Sequence, residues 1–110
     1  MPERVAFVFE LREGALDEYR RRHDQIWPEM RELLDQAGIG DYSCWVWQER
    51  FVIATLEADP DFAAATAVLR ASRVQREWEE FMADTIAWQL DGNDEVLRLE
   101  EVFRHDGRGR

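Results

Sequence analysis

The chain has few of the residues that cross-link a fold or hold a metal. A single cysteine, Cys44, excludes an internal disulfide framework and fits a reducing compartment. Two histidines and that one cysteine leave no zinc-type ligand set, and no carboxylate cage for a hard cation is expected. No apolar run approaches membrane-spanning length, and the N-terminal Met-Pro-Glu-Arg-Val-Ala-Phe lacks the apolar core of a signal peptide, so a cytoplasmic protein is expected. Positive charge is also short: 14 Lys and Arg stand against 24 Asp and Glu, for a net charge of −10. Nucleic acid and anionic membranes recruit basic patches, so neither is expected as a partner. A Ser-His-Asp order, a phosphate-cradling glycine loop and a dinucleotide fingerprint are all missing.

What is present is apolar and aromatic. Hydrophobic residues make up 45% of the 110, with five Trp, six Phe and two Tyr, which suits one globular domain. That domain is expected over residues 1–104, with a polar tail at 105–110. Residues 4–11 alternate as a strand with Val5, Phe7, Phe9 and Leu11 on one face, while Ala6 and Val8 keep the other apolar. Such a strand is covered on both sides. After a turn at Gly14, one helix in two parts is expected from Ala15 to Ala37, interrupted where Pro28 removes a donor. Leu16, Tyr19, His23, Ile26, Trp27, Met30, Leu33, Leu34 and Ala37 share an arc of roughly 120°. The opposite side carries Asp17/Arg21, Glu18/Arg22 and Arg20/Asp24 at four-residue spacing, which reads as a solvated face.

Residues 41–48 and 51–56 read as two strands of a tight hairpin. Tyr42, Cys44 and Val46 fall on one face of the first, Ser43, Trp45 and Trp47 on the other. Asp59-Pro60-Asp61 reads as a helix start with Asp59 as N-cap and Pro60 in the first turn, the helix running to about Ala71. Ser72-Arg-Val-Gln75 resembles a capping box. The helix it opens buries Val74, Trp78, Phe81, Met82, Thr85 and Ile86 and frays near Leu90. A turn at 91–94 and a last strand over 96–103 complete the chain. This order is an α+β, ferredoxin-like β-α-β-β-α-β pattern, a four-stranded antiparallel sheet with helices on one face. The apolar second face points to a homodimer joined through its sheets.

Tyr19, His23 and Trp27 stand four residues apart, and four steps of ~100° bring each ring nearly above the last. An aromatic cleft holding one group that titrates near neutrality suits a neutral polar ligand such as a sugar. The competing reading of His23 is a half-buried histidine that donates one hydrogen bond. Tyr42 reads either as part of the same cleft or as a sheet aromatic at a dimer interface, and Trp78 as cleft or core. Cys44, mid-strand with nothing to lower its pKa, reads as packing.

The stretch Tyr19-Arg-Arg-Arg-His23-Asp-Gln-Ile-Trp27-Pro28-Glu-Met30 resembles the Tyr-x-Arg-Arg-His-x-x-Ile-Trp-Pro-Glu-Leu signature of the L-rhamnose mutarotase family. The resemblance runs on through Ala37-Gly38, Tyr42-Ser43, Trp78 with Phe81-Met82, and Leu99-Glu-Glu-Val-Phe103. It implies a dimeric α+β barrel that interconverts the anomers of L-rhamnose, a monosaccharide, with no cofactor. It also implies His23 as catalytic proton donor and Tyr19, Tyr42 and Trp78 as substrate-binding aromatics. Where that family often has Arg before a Trp-Trp pair, this chain has Glu77-Trp78-Glu79, and Trp45 and Trp47 enlarge the hairpin strand close to the expected pocket. Two other readings remain open on the residues alone. One is a cofactor-free monooxygenase-like enzyme on the same barrel, favoured by Trp45 and Trp47. The other is a non-catalytic small-ligand-binding dimer.

Overall fold

The computed structural model describes residues 2–90, 95–105 and 107. The turn expected at 91–94 and most of the polar tail lie outside the described residues. Strand β1 (Glu3–Leu11) lies inside the sheet, pairing antiparallel with β3 (Phe51–Ala58), which in turn pairs with the edge strand β2 (Ile39–Trp47). The far side of β1 takes β4 (Ile86–Trp88) at Glu10 and Leu11, and β5 (Leu97–Arg98) at Phe7 and Val8. The order β2-β3-β1-β4 is that of the ferredoxin-like sheet, and the class is α+β.

Period-two alternation decides which face is buried. Val5, Phe7, Phe9 and Leu11 of β1 and Val52, Ala54, Leu56 and Ala58 of β3 all point under the helices, with Leu11 fully enclosed. Four helices cover them: α1 (Leu16–Asp24), α2 (Pro28–Gln36), α3 (Phe62–Arg70) and α4 (Arg73–Met82). Tyr19, Met30, Leu33, Ala65, Trp78 and Met82 complete one core from the helical side.

The expected kinked helix is two helices. Trp27 has left the helical region (φ −63°, ψ 138°) and stands as the N-cap of α2, with Pro28 in its first turn. This is the extended conformation that a following proline favours. Tyr19 and His23 therefore share a helical face, and Trp27 does not. Asp61, rather than Asp59, caps α3 by accepting from the Ala64 N–H at 2.8 Å, which leaves Pro60 outside the helix. The capping box does not close either. Ser72 Oγ accepts from the Val74 N–H, and the Ser72 N–H is already donated to the Leu69 carbonyl at 3.0 Å, so Gln75 has nothing to reach back for. The hairpin turn places Gln48 (φ 55°) and Glu49 (φ 59°) in the left-handed region without glycine or asparagine.

The chain's end differs most from expectation. The fourth helix stops at Met82, and a single 3₁₀ turn, Ala83–Thr85, delivers the chain to β4. Strand β4 thus stands where the helix was expected to continue, the expected strand over 96–103 is reduced to β5, and a bridge between Leu90 and Val96 joins the two stretches. Residues 99–105 run on without regular structure, with Val102 88% and Phe103 82% exposed. On the open face of the sheet, Trp45 pairs with Ile53 and Trp47 with Phe51, and these two tryptophans are 65% and 59% exposed. Among the described residues, no helix is long and apolar enough to cross a membrane.

The α2–β2 corner turns on Gly38 (φ +78°), where an added Cβ would lie 2.2 Å from the Asp59 carbonyl oxygen. Gly14 has the same φ with nothing within 4 Å. Gly38→Ala should cost about 2 kcal/mol or more in urea unfolding and Gly14→Ala clearly less, because only the first adds a backbone collision to an unfavourable φ. Equal losses would mean that the contact with Asp59 is unimportant.

Candidate active site

Helix α1 aligns two rings one turn apart. Tyr19 and His23 lie with centroids 4.3 Å apart at 33°, and His23 Nδ1–H donates to the Tyr19 carbonyl at 3.1 Å. With Nδ1 committed to its own helix, Nε2 is the nitrogen left for chemistry in the neutral ring. Trp78 of α4 stands edge-on to His23 at 5.4 Å. Trp27, from the extended link before α2, stands edge-on to the same indole at 5.1 Å and tilts against Phe81. Trp27 is a wedge that fixes Trp78.

Arg22 holds α1 against α4, and at this residue the expected solvated arginine face fails, while Arg20 and Arg21 are exposed as expected. The guanidinium donates to the Phe81 carbonyl at 2.8 Å and forks onto Asp84 at 2.7 and 3.2 Å. It also donates to Glu18 at 2.6 Å, and its carbon lies 4.9 Å over the Phe81 ring. Its side chain is only 13% exposed. The Phe81 carbonyl is one of the unpartnered acceptors at the end of α4, so the arginine caps that helix as well as bridging. Glu18 therefore pairs with both Arg21 and Arg22, in place of the expected Asp17/Arg21 pair, and these donors hold its carboxyl down at about 2.

All four residues singled out from the sequence, Tyr19, His23, Tyr42 and Trp78, line one cavity of about 350 Å³ between the sheet and helices α1, α2 and α4. Its α2 side carries Met30 and Leu34, with Ile26 just before them, beside the charged Arg31, whereas α4 contributes Gln75 and Glu79 around Trp78. Burial lowers the His23 pKa below its ordinary 6.5, a shift only partly offset by the Tyr19 carbonyl and by Asp24. The imidazole is thus neutral at pH 7. Burial pushes the hydroxyls of Tyr19 and Tyr42 well above the usual tyrosine range, so both stay protonated donors. Tyr42 is 43% exposed, yet its hydroxyl end is packed among other atoms, and the shift follows that end. The Cys44 sulfur lies in reach of both hydroxyls, and burial raises its pKa as well.

The sequence reading missed part of this wall. Cys44 lies with the two tyrosines because its even register shares Tyr42's face of β2, a placement already legible in the alternation. Gln75 and Glu79 follow from their spacing to Trp78 along α4, at −3 and +1. Glu77 points elsewhere and pairs with Arg73. Trp45 and Trp47 line no part of the cavity, since strand alternation sends them to the open face of the sheet. The two tryptophans therefore lend no support to a monooxygenase-like reading of this cavity. A wider groove of about 610 Å³ lies on that open face among Arg4, Thr55, Glu57, Arg98 and Glu101. Arg4 there pairs with Glu57 and Glu101, and its lining includes neither histidine nor cysteine. The smaller cavity is the one equipped for proton transfer.

Residues 4–105 match the family profile described as L-rhamnose mutarotase. The L-rhamnose mutarotase of Verminephrobacter eiseniae is 41% identical over 105 residues, covering 94% of this chain and 97% of that protein. That of Burkholderia cenocepacia (strain HI2424) is 39% identical over 104 residues, with coverage of 92% and 96%. The crystal structure of L-rhamnose mutarotase from Formosa agariphila superposes with a TM-score of 0.77 at 32% identity, covering 94% of this chain and 99% of that one.

The depressed pKa makes a prediction about acid. As pH falls past ~6.5, an unfolded chain binds a proton at this histidine before the native chain does, so stability drops until the buried ring also protonates. An NMR titration should put the His23 ring below 6.5, and His23→Gln should flatten the loss of stability between pH 7 and 5. A His23 titration above 6.5 would contradict the burial argument.

Proposed function

This chain belongs to the L-rhamnose mutarotase family, and we propose that it is an isomerase that interconverts the α and β anomers of L-rhamnose or a related deoxy-sugar, with His23 carrying the proton. The observation that carries the reading is the neutral imidazole whose Nδ1–H is tied to the Tyr19 carbonyl inside the aromatic cavity. Its free Nε2 takes the proton from the anomeric hydroxyl. The resulting imidazolium returns that proton to the ring oxygen as the C1–O5 bond breaks, giving the open-chain aldehyde. Rotation about C1–C2 presents the other carbonyl face. The two transfers then run in reverse: the C5 hydroxyl loses its proton to Nε2 as it closes on C1, and the imidazolium protonates O1. Each proton removed is returned, so no cofactor, metal or covalent nucleophile enters the balance.

Tyr19 and Tyr42, held protonated, donate hydrogen bonds to oxygens that gain charge along this path, which is worth more in a site shielded from water. Trp78 offers its face to the C–H surface of the sugar. General acid–base help of this kind typically contributes ~10²–10⁴-fold, and the uncatalysed reaction already proceeds slowly in water, so no larger acceleration is needed. The unit that does this is the domain of residues 1–104, working in the cytoplasm, a placement supported by the lone cysteine. Two such units pair through their open sheet faces as a homodimer, a reading supported by Trp45, Trp47 and Leu97 lying exposed on one apolar surface.

Exchange NMR on L-rhamnose, L-fucose and other neutral monosaccharides tests the activity. Faster α/β exchange is expected for L-rhamnose, with a loss on the order of 10²-fold or more in folded His23→Ala. No acceleration of any sugar would refute the assignment. Tyr19→Phe should slow exchange while leaving the fold intact, and an unchanged rate would remove that hydroxyl from the reaction. Sedimentation should give twice the mass of 13.1 kDa, and Trp45→Glu with Trp47→Glu should give single chains; a monomeric parent would contradict the sheet-to-sheet pairing.

A further inference from the structure

The proton chemistry leaves one group on the α4 wall unused. Gln75 stands one turn before Glu79 and three residues before Trp78, so the helix turns all three toward the same space. Its side chain borders both the His23 cavity and a second hollow of about 190 Å³ that reaches Phe62, Thr66 and Leu69. Tyr42, Glu79 and Gln89 border both spaces too, which makes Gln75 part of a shared wall. Its carbonyl Oε1 is buried and accepts no hydrogen bond from any described residue. The backbone donor that a capping box would offer it, the Ser72 N–H, is spent on Leu69. A buried acceptor without a donor costs about 1–3 kcal/mol, and native structures seldom keep one without a use.

Resting on the reading of the cavity as a pyranose site, we propose that Gln75 is a specificity-determining substrate residue, its carboxamide oxygen accepting from a ring hydroxyl other than the anomeric one. The last torsion of a glutamine is broad and roughly two-fold, so the amide turns its oxygen to the cavity at little cost. The amide N–H₂ then lies beside it as a donor, and the pair suits two neighbouring hydroxyls. The apolar part of the α2 side, Ile26, Met30 and Leu34, suits the methyl of a 6-deoxy sugar. The ligand is thereby oriented: anomeric carbon to His23, methyl toward α2, and hydroxyl-bearing edge toward α4. A site built to bond a hydroxyl rejects the analogue that lacks it more strongly than an apolar pocket rejects an extra group.

Gln75→Met keeps the length and apolar body of the side chain and deletes both polar atoms. Anomer exchange measured against concentration should show KM raised about 3–10-fold with kcat little changed, the loss of one hydrogen bond made equally in ground and transition states. Thermal stability should hold or rise, since an unpaired carbonyl has been removed. A purely structural glutamine would give the opposite: a lower Tm and an unmoved KM. With 2-, 3- and 4-deoxy analogues of L-rhamnose, one position should weaken the parent and not the variant, identifying the hydroxyl that Gln75 holds. An unmoved KM, or equal losses at every position in both proteins, overturns the proposal and leaves the mutarotase reading standing. If the parent speeds no sugar, that reading falls, and saturation-transfer NMR with L-rhamnose decides this one: weaker binding by Gln75→Met supports it, while equal binding or none overturns it.

Discussion

One guanidinium makes the site possible. Helix α1 is nine residues long, too short to persist without tertiary partners, and it carries both the histidine and the first tyrosine. Arg22 ties its last turn to the end of α4 through the Phe81 carbonyl, to Asp84 just beyond, and to the Phe81 ring. The same contacts set the spacing between His23 on one helix and Trp78 on the other, and that spacing is the width of the cavity's floor. Trp27 works from the other side, pressing on Trp78 and Phe81 from the extended link before Pro28. The Trp78 and Phe81 rings are thus clamped between an ion-paired arginine and a proline-defined corner.

The rings and the thiol that line this cavity stay uncharged in a chain of net charge −10. The imidazole is neutral, the two phenols keep their protons, and the thiol beside them keeps its own, all for one reason: burial penalises the charged form of each. Gln75, Glu79 and Arg31 border the same cavity and supply the polar contrast that a ligand with hydroxyls on one edge requires.

The sheet order and the burial of β1 and β3 were legible in the sequence because alternation at period two has few solutions when one face must be covered. Tyr19, His23, Tyr42 and Trp78 were legible individually, and the structure brings them to one cavity. Three things were harder to read. Arg22 was taken for surface because its four-residue spacing to Glu18 is genuine, while Asp84, 62 positions away, leaves no local trace. Trp45 and Trp47 were drawn toward the pocket by size, although their odd register assigns them to the other face. The end of α4 was drawn too long because Thr85 and Ile86 continue its apolar stripe; the stripe is real, but Thr85 is buried from a 3₁₀ turn, bonded to the Met82 carbonyl, and Ile86 from a strand.

The pairing of two short strands with β1 has a consequence for how this fold can change. β4 and β5 hold separate stretches of β1, and the Leu90–Val96 bridge fastens the two where they part. The residues at that parting, Gln89, Leu90, Glu95 and Val96, also border the hollow behind the active cavity. A side chain exchanged at Gln89 or Glu95 alters that hollow, yet both positions lie outside the two ladders, so the pairing of neither strand shifts.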